Sequence, residues 1–217
     1  PVIQGTKAIF EAASGKIGTA DKPITLKLTG GTDATLVARA QEGIWINQTG
    51  DIRIADIYSP GFVALTAQGA IIDARGLGTR ALEAGEAMLI AQGGSVGTLA
   101  NPLVVKMSST DGLSATTSAG YSVYLQGLDT GLTVKNIDSG LDINLYSPQG
   151  TLRANGTVKA LQNLDLISDG DIETASASLL RAVSGTANIS AAGDIGMESG
   201  SRIQADVGGI NVSGQNV

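Results

Sequence analysis

The 217-residue chain contains no cysteine and no histidine, and these two absences remove whole chemistries before any pattern is considered. A disulfide scaffold is excluded. So are zinc, haem and copper sites built on thiolate or imidazole, Cys nucleophiles, His general bases and the usual serine triad. Aromatic residues make up only 3% of the chain, with a single Trp, so a fold organised around large buried rings is not expected. Lys and Arg number 14 against 20 Asp and Glu. The resulting net charge of −6 gives no clustered positive footprint, so neither nucleic acid nor an anionic membrane surface is an expected partner. No run approaches the roughly 18 consecutive apolar residues of a membrane span, and membrane insertion is not expected. At 42% apolar the chain is nevertheless too hydrophobic for a disordered tail. Residue 1 is Pro, with no basic and apolar leader after it, which reads as a processed chain or a piece of a longer one. Freedom from Cys fits export from a bacterial cell.

What the chain does have is 30 Gly and a continuous succession of short strands. Ile24 to Leu28, Ile52 to Ile54, Val63 to Leu65 and Leu141 to Leu145 all read apolar-x-apolar between Gly, Asn, Asp and Ser, the period-2 signature of β-structure. Only Arg80 to Ile90 has a helical composition. Gly85 in its middle costs a helix about 1 kcal/mol, and the window reads as a coil with at most one irregular turn.

Self-similarity is the strongest signal. Gly15 to Thr19 with Pro23 and Ile24 recurs 79 residues on as Gly94 to Thr98 with Pro102 and Leu103. Ile44-Trp45-Ile46 recurs as Val123-Tyr124-Leu125 at the same offset, and a third Gly-x-Ile-Gly, at Gly193, lies 99 residues after Gly94. Both spacings divide into units of about 20 residues, too short for a tandem sandwich domain and right for one coil of a solenoid.

A coil of that size buries its apolar face only against neighbours stacked on both sides. The fold expected is all-β: a right-handed parallel β-helix, or β-solenoid, of about 20 residues per coil and about 11 coils. It forms a single continuous segment over 1–217, with long repeats at about 15–93 and 94–172 and shorter coils over 173–217. Ile24, Leu26, Ile44, Ile46, Ile54, Leu65, Val123, Leu145, Leu166, Ile189, Ile203 and Ile210 are expected inside, and Arg53, Asn144 and Asp165 outside. The Gly-Asp-Ile triplets beginning at Gly50, Gly170 and Gly193 read as a corner Gly, often at φ > 0, followed by a capping Asp and the first inward Ile. Pro1-Val2-Ile3 and Gly209 to Val212 read as ordinary repeat without caps, so end-to-end association is expected.

The succession Gly-x-Ile-Gly-Thr…Pro-Ile/Leu, together with Ala191 to Gly196 (Ala-Ala-Gly-Asp-Ile-Gly), resembles the repeats of filamentous-haemagglutinin-like exoproteins and other large repetitive bacterial surface adhesins. The resemblance covers nearly the whole chain. It implies a structural shaft segment on the surface of a Gram-negative cell, and carries over no catalytic residue. The expected partners are neighbouring coils of a longer parent, other copies end to end, and host or biofilm glycans.

Three alternatives bear on sites. Asp165, Asp169, Asp171 and Glu173 form the densest carboxylate group, and β-helices also carry polysaccharide lyases and hydrolases, but the spacing forces no two of the four together. No enzyme is expected, and neither a cofactor nor a metal site, although Asp169 and Asp171 could share one calcium at a corner. Trp45 and Tyr124, at equivalent places in the two long repeats and flanked by inward residues, are aimed outward and are the candidate ligand or partner contacts. Four coils between them would set them roughly 20 Å apart.

Overall fold

A computed structural model describes residues 2–76 and 78–217. Its 23 strands join in one continuous parallel sheet, wound into a β-solenoid of about nine turns with 58% of the chain in strand. The helical content among the described residues is one 3-10 turn, Gly31–Asp33, and no helix is long and apolar enough to cross a membrane.

The plan is clearest in the later turns, where each coil contributes three short strands. A first face stacks Val123–Gly127, Ile143–Ser147, Leu164–Ser168, Ala187–Ala191 and Ile210–Ser213. A second stacks the start of Gly131–Ser139 on Thr151–Ala154, Ile172–Thr174 and Ile195–Met197. A third stacks the end of Gly131–Ser139 on Thr157–Ala160, Leu179–Ala182 and Arg202–Ala205. This third face continues toward the amino terminus through Leu113–Thr117, the second halves of Leu82–Ala91 and Ile52–Ala67, and Gly43–Gln48.

Alternation along each strand decides what lies inside. Leu125, Leu145, Leu166 and Ile189 pair in register, and all are buried. Each such side chain contributes about 1.5–3 kcal/mol by leaving water, and like residues stacked one per turn fill a narrow interior without voids. Corners are polar, and their buried groups are mostly satisfied, Asn101 Oδ1 and Thr174 Oγ1 being the exceptions among the described residues. Asp51 Oδ1 accepts from Ala70 N at 2.8 Å and Asp171 Oδ1 from Asp194 N at 2.8 Å, each binding one turn to the next. Buried Ser147 and Ser168 both donate to the Gly150 carbonyl, at 3.4 and 3.2 Å.

Several expectations are corrected. Turns average roughly 22 residues rather than 20, giving about nine instead of 11. Val123 to Ile143 spans 20 residues, Leu164 to Ala187 spans 23, and Ile17 to Ile44 spans 27. Corners absorb the variation, since the ladders constrain strands and leave loops free to lengthen. The Arg80 to Ile90 window is mostly strand, within Leu82–Ala91. Its Ala and Leu residues are helix formers in isolation, but Ala84, Ala87, Leu89 and Ala91 face the narrow core, and ladder pairing on both sides overrides propensity. Gly85 is there for space: a Cβ at that position would meet the Pro60 and Gly61 carbonyls of the turn below.

Ile210 is 47% exposed, because no strand of the described residues covers it, and Ile24 and Ile203 are only partly buried. Of the three triplet glycines only Gly50 has positive φ, at 105°; Gly193 instead makes room for the Asp171 carboxylate. Pro1 lies outside the described residues, while Val2 and Ile3 are exposed as expected.

Candidate functional site

The long repeat has a structural reason. Ile17 pairs with Ile44 and Ile24 with Ile46, so residues seven apart, on two short strands of one turn, face residues two apart on a single strand of the next. Residues 18–23 are extruded from the face between them. The second repeat does the same: Val96 pairs with Val123, Leu103 with Leu125, and 97–102 bulge outward. Each bulge closes on itself. Thr19 N donates to Lys22 O at 3.1 Å, Lys22 N to Thr19 O at 3.2 Å, and Thr19 Oγ1 accepts from Lys22 N at 3.1 Å. Thr98 and Asn101 repeat all three bonds. Gly18 and Gly97 enter the bulges at φ 70° and 67°, a region other residues occupy at a cost, and Pro23 and Pro102 close them with a fixed φ.

Each bulge overhangs a groove on the outer surface. The first, about 390 Å³, is lined by Pro23, Trp45, Asn47, Phe62, Thr66 and Met88 among others. Trp45 and Phe62 rings lie 6.0 Å apart, tilted by 32°, and a Cβ on Gly43 would overlap the indole, so that glycine lets the ring lie against the backbone. The second groove, about 560 Å³, is lined by Leu99, Pro102, Gln126, Asn144, Tyr146 and Ile167 with others. Pro23 corresponds to Pro102 and Asn47 to Gln126 at the 79-residue offset. In the second groove the Tyr146 hydroxyl donates to Asp169 Oδ2 at 2.8 Å, which pushes the phenol above its ordinary pKa.

The two candidate aromatics are separated. Trp45 belongs to the third-face ladder Trp45, Ala64, Met88, Ser114. Tyr124 belongs to the first-face ladder Tyr124, Asn144, Asp165, Asn188, Asn211. The 79-residue repeat is therefore three turns plus one face, not four whole coils, and the same motif is presented on two sides of the rod. Trp45 lines its groove, whereas Tyr124 is not among the residues lining the second. Tyr146, one turn on and in register with Gln126, supplies the ring there, and only the ladder register identifies it.

The carboxylates thought most concentrated are dispersed. Asp165 accepts from Asn188 Nδ2 at 2.7 Å, Asp169 from Tyr146, Asp171 from a backbone amide, and Glu173 pairs with Arg153. Among the described residues no group of three or more Asp and Glu is placed to hold a metal ion.

Sequence patterning missed a charged cluster. Asp56, its side chain only 9% exposed, meets Arg39 at 2.5 Å, Arg80 at 2.9 Å and Arg75 at 3.7 Å, and Arg80 also pairs with Glu83. Burial alone would lower the Arg80 pKa, but its hydrogen bonds to Asp56 and Glu83 hold the guanidinium above its ordinary value. Strict alternation after Ile52 and Ile54 would turn Asp56 into the core; the register irregularity opposite Leu36 and Val37 instead pairs it with outward-facing Val37, on the side of Arg39, and puts Ile57 inside in its place. Its arginines come from the turns on either side, so the cluster clamps successive coils.

No protein-family model, no curated protein and no solved structure matches this chain.

Proposed function

We propose that the chain is a non-enzymatic shaft segment of an extracellular bacterial adhesin or surface filament, of the filamentous-haemagglutinin-like kind its repeats resemble. The observation that carries this reading is the single aliphatic core, which includes Ile17 near one end and Ile195 near the other. About nine turns at about 4.8 Å each make a stiff spacer roughly 40 Å long. The end coils favour continuation by further coils, either of a longer parent or of another copy. Val2 and Ile3 are 51% and 45% exposed at one end and Ile210 47% at the other, beside unpaired strand edges.

Surface labelling tests this reading. Antibodies raised against the folded segment should label intact cells of the source organism, and protease added outside should remove the label. Labelling that appears only after lysis would overturn it.

A further inference from the structure

The groove beneath the 18–23 bulge has a lining that a spacer does not require. No ionisable side chain borders it. Asn47 and Thr66, paired in register on the outer surface, make no side-chain hydrogen bond with any described residue, although both face the groove. Elsewhere on the rod some outward amides are engaged, Asn188 donating to Asp165 at 2.7 Å and Asn211 to Asn188 at 2.8 Å, whereas Asn47, like Gln126 and Asn144 of the second groove, makes no side-chain hydrogen bond with a described residue. A ring held against Gly43 and Phe62 thus stands beside an unused amide and an unused hydroxyl.

We propose that this groove binds a neutral saccharide chain, with Trp45 as the stacking platform and Asn47 and Thr66 bonding the sugar hydroxyls. A pyranose presents an apolar C–H face to a ring and hydroxyls at its rim, matching a site that is apolar with a few placed polar groups. The uncharged lining and the chain's net charge of −6 disfavour uronic or sulfated sugars, which need Lys or Arg. At about 390 Å³ the groove has the size of small-ligand sites. Because the ring is already fixed by its neighbours, little ordering cost remains on binding. The groove under 97–102 has a comparable ring and two free amides, Tyr146, Gln126 and Asn144, but adds the Asp169 carboxylate to its lining. Since it lies on a different face, the two grooves hold two separate chains, and one shaft segment links them.

Trp45 is the only tryptophan, so its emission reports this groove directly. The chain is titrated with cellohexaose, laminarihexaose, mannohexaose and chitohexaose, and with hexagalacturonate and a heparin hexasaccharide as acidic probes. The proposal expects a saturable change in emission with at least one neutral probe. It also expects Asn47→Ala and Thr66→Ala, each with an unchanged circular dichroism spectrum, to weaken that binding about three- to tenfold. Emission indifferent to all four neutral probes, an acidic probe bound as tightly, or full affinity in a folded Asn47→Ala or Thr66→Ala variant would each overturn it.

Discussion

The carbonyl oxygen of Trp45 stands 2.6 Å from where a Cβ on Gly18 would sit, and the Tyr124 carbonyl crowds Gly97 in the same way. Each extruded loop is thus fitted to the strand of the next turn through a glycine that has both positive φ and no room for a side chain. The motif marks a shared geometry more than a shared distance along the rod.

Gly97→Ala therefore meets two penalties, a left-handed backbone conformation and a backbone collision. Gly120, at φ 86° with nothing within 4 Å, faces only the first. Chemical denaturation should show Gly120→Ala losing about 1 kcal/mol and Gly97→Ala about 1–2 kcal/mol more. Equal losses would mean the bulge relaxes freely and is not fitted to its neighbour.

Inside and outside separate at adjacent residues. Ile54 is fully buried, while Arg53 points outward and donates to the Thr32 carbonyl at 3.2 Å. Ile54→Asp places an unpaired charge between stacked coils and should cost at least about 3 kcal/mol; Arg53→Asp should cost less than about 1 kcal/mol. Thermal and urea unfolding of the two variants measure the difference.

Asp56 holds three arginines from neighbouring turns, so neutralising it strands them at a partly desolvated site. Asp56→Asn should destabilise by about 2–4 kcal/mol, whereas Arg39→Ala, whose side chain is 56% exposed, should cost less than about 1 kcal/mol. If the two variants unfold at the same denaturant concentration, the cluster is an ordinary surface network and clamps nothing.

Much of this architecture is legible in the sequence because a solenoid is a local pattern repeated. Apolar alternation at Leu125, Leu145, Leu166 and Ile189 marks the inward ladder, and the recurrence of Gly18 and Pro23 as Gly97 and Pro102 marks the extruded loops. Three features resist such reading for physical reasons. Turn length is set by corners that carry no ladder constraint, so dividing 79 by a whole number of coils puts Trp45 and Tyr124 on one face when they occupy two. The Leu82–Ala91 strand is written in Ala, Leu and Glu, residues whose local preference is helical and whose strand state comes from pairing partners distant in sequence. Asp56 and Tyr146 acquire their places from register, one through an irregular pairing and the other through its position above Gln126, which single-strand patterns do not encode.

A shaft must hold its length under load, and pulling the chain by its two ends in an optical trap tests that most directly. Stacked coils bound only to their neighbours should resist extension and then peel in discrete steps. Each step should be a multiple of about one turn, and a roughly 22-residue turn releases on the order of 70 Å of extended chain. Smooth lengthening at low force, without steps, would contradict the account, because a tether that yields in that way cannot hold a binding region away from a cell.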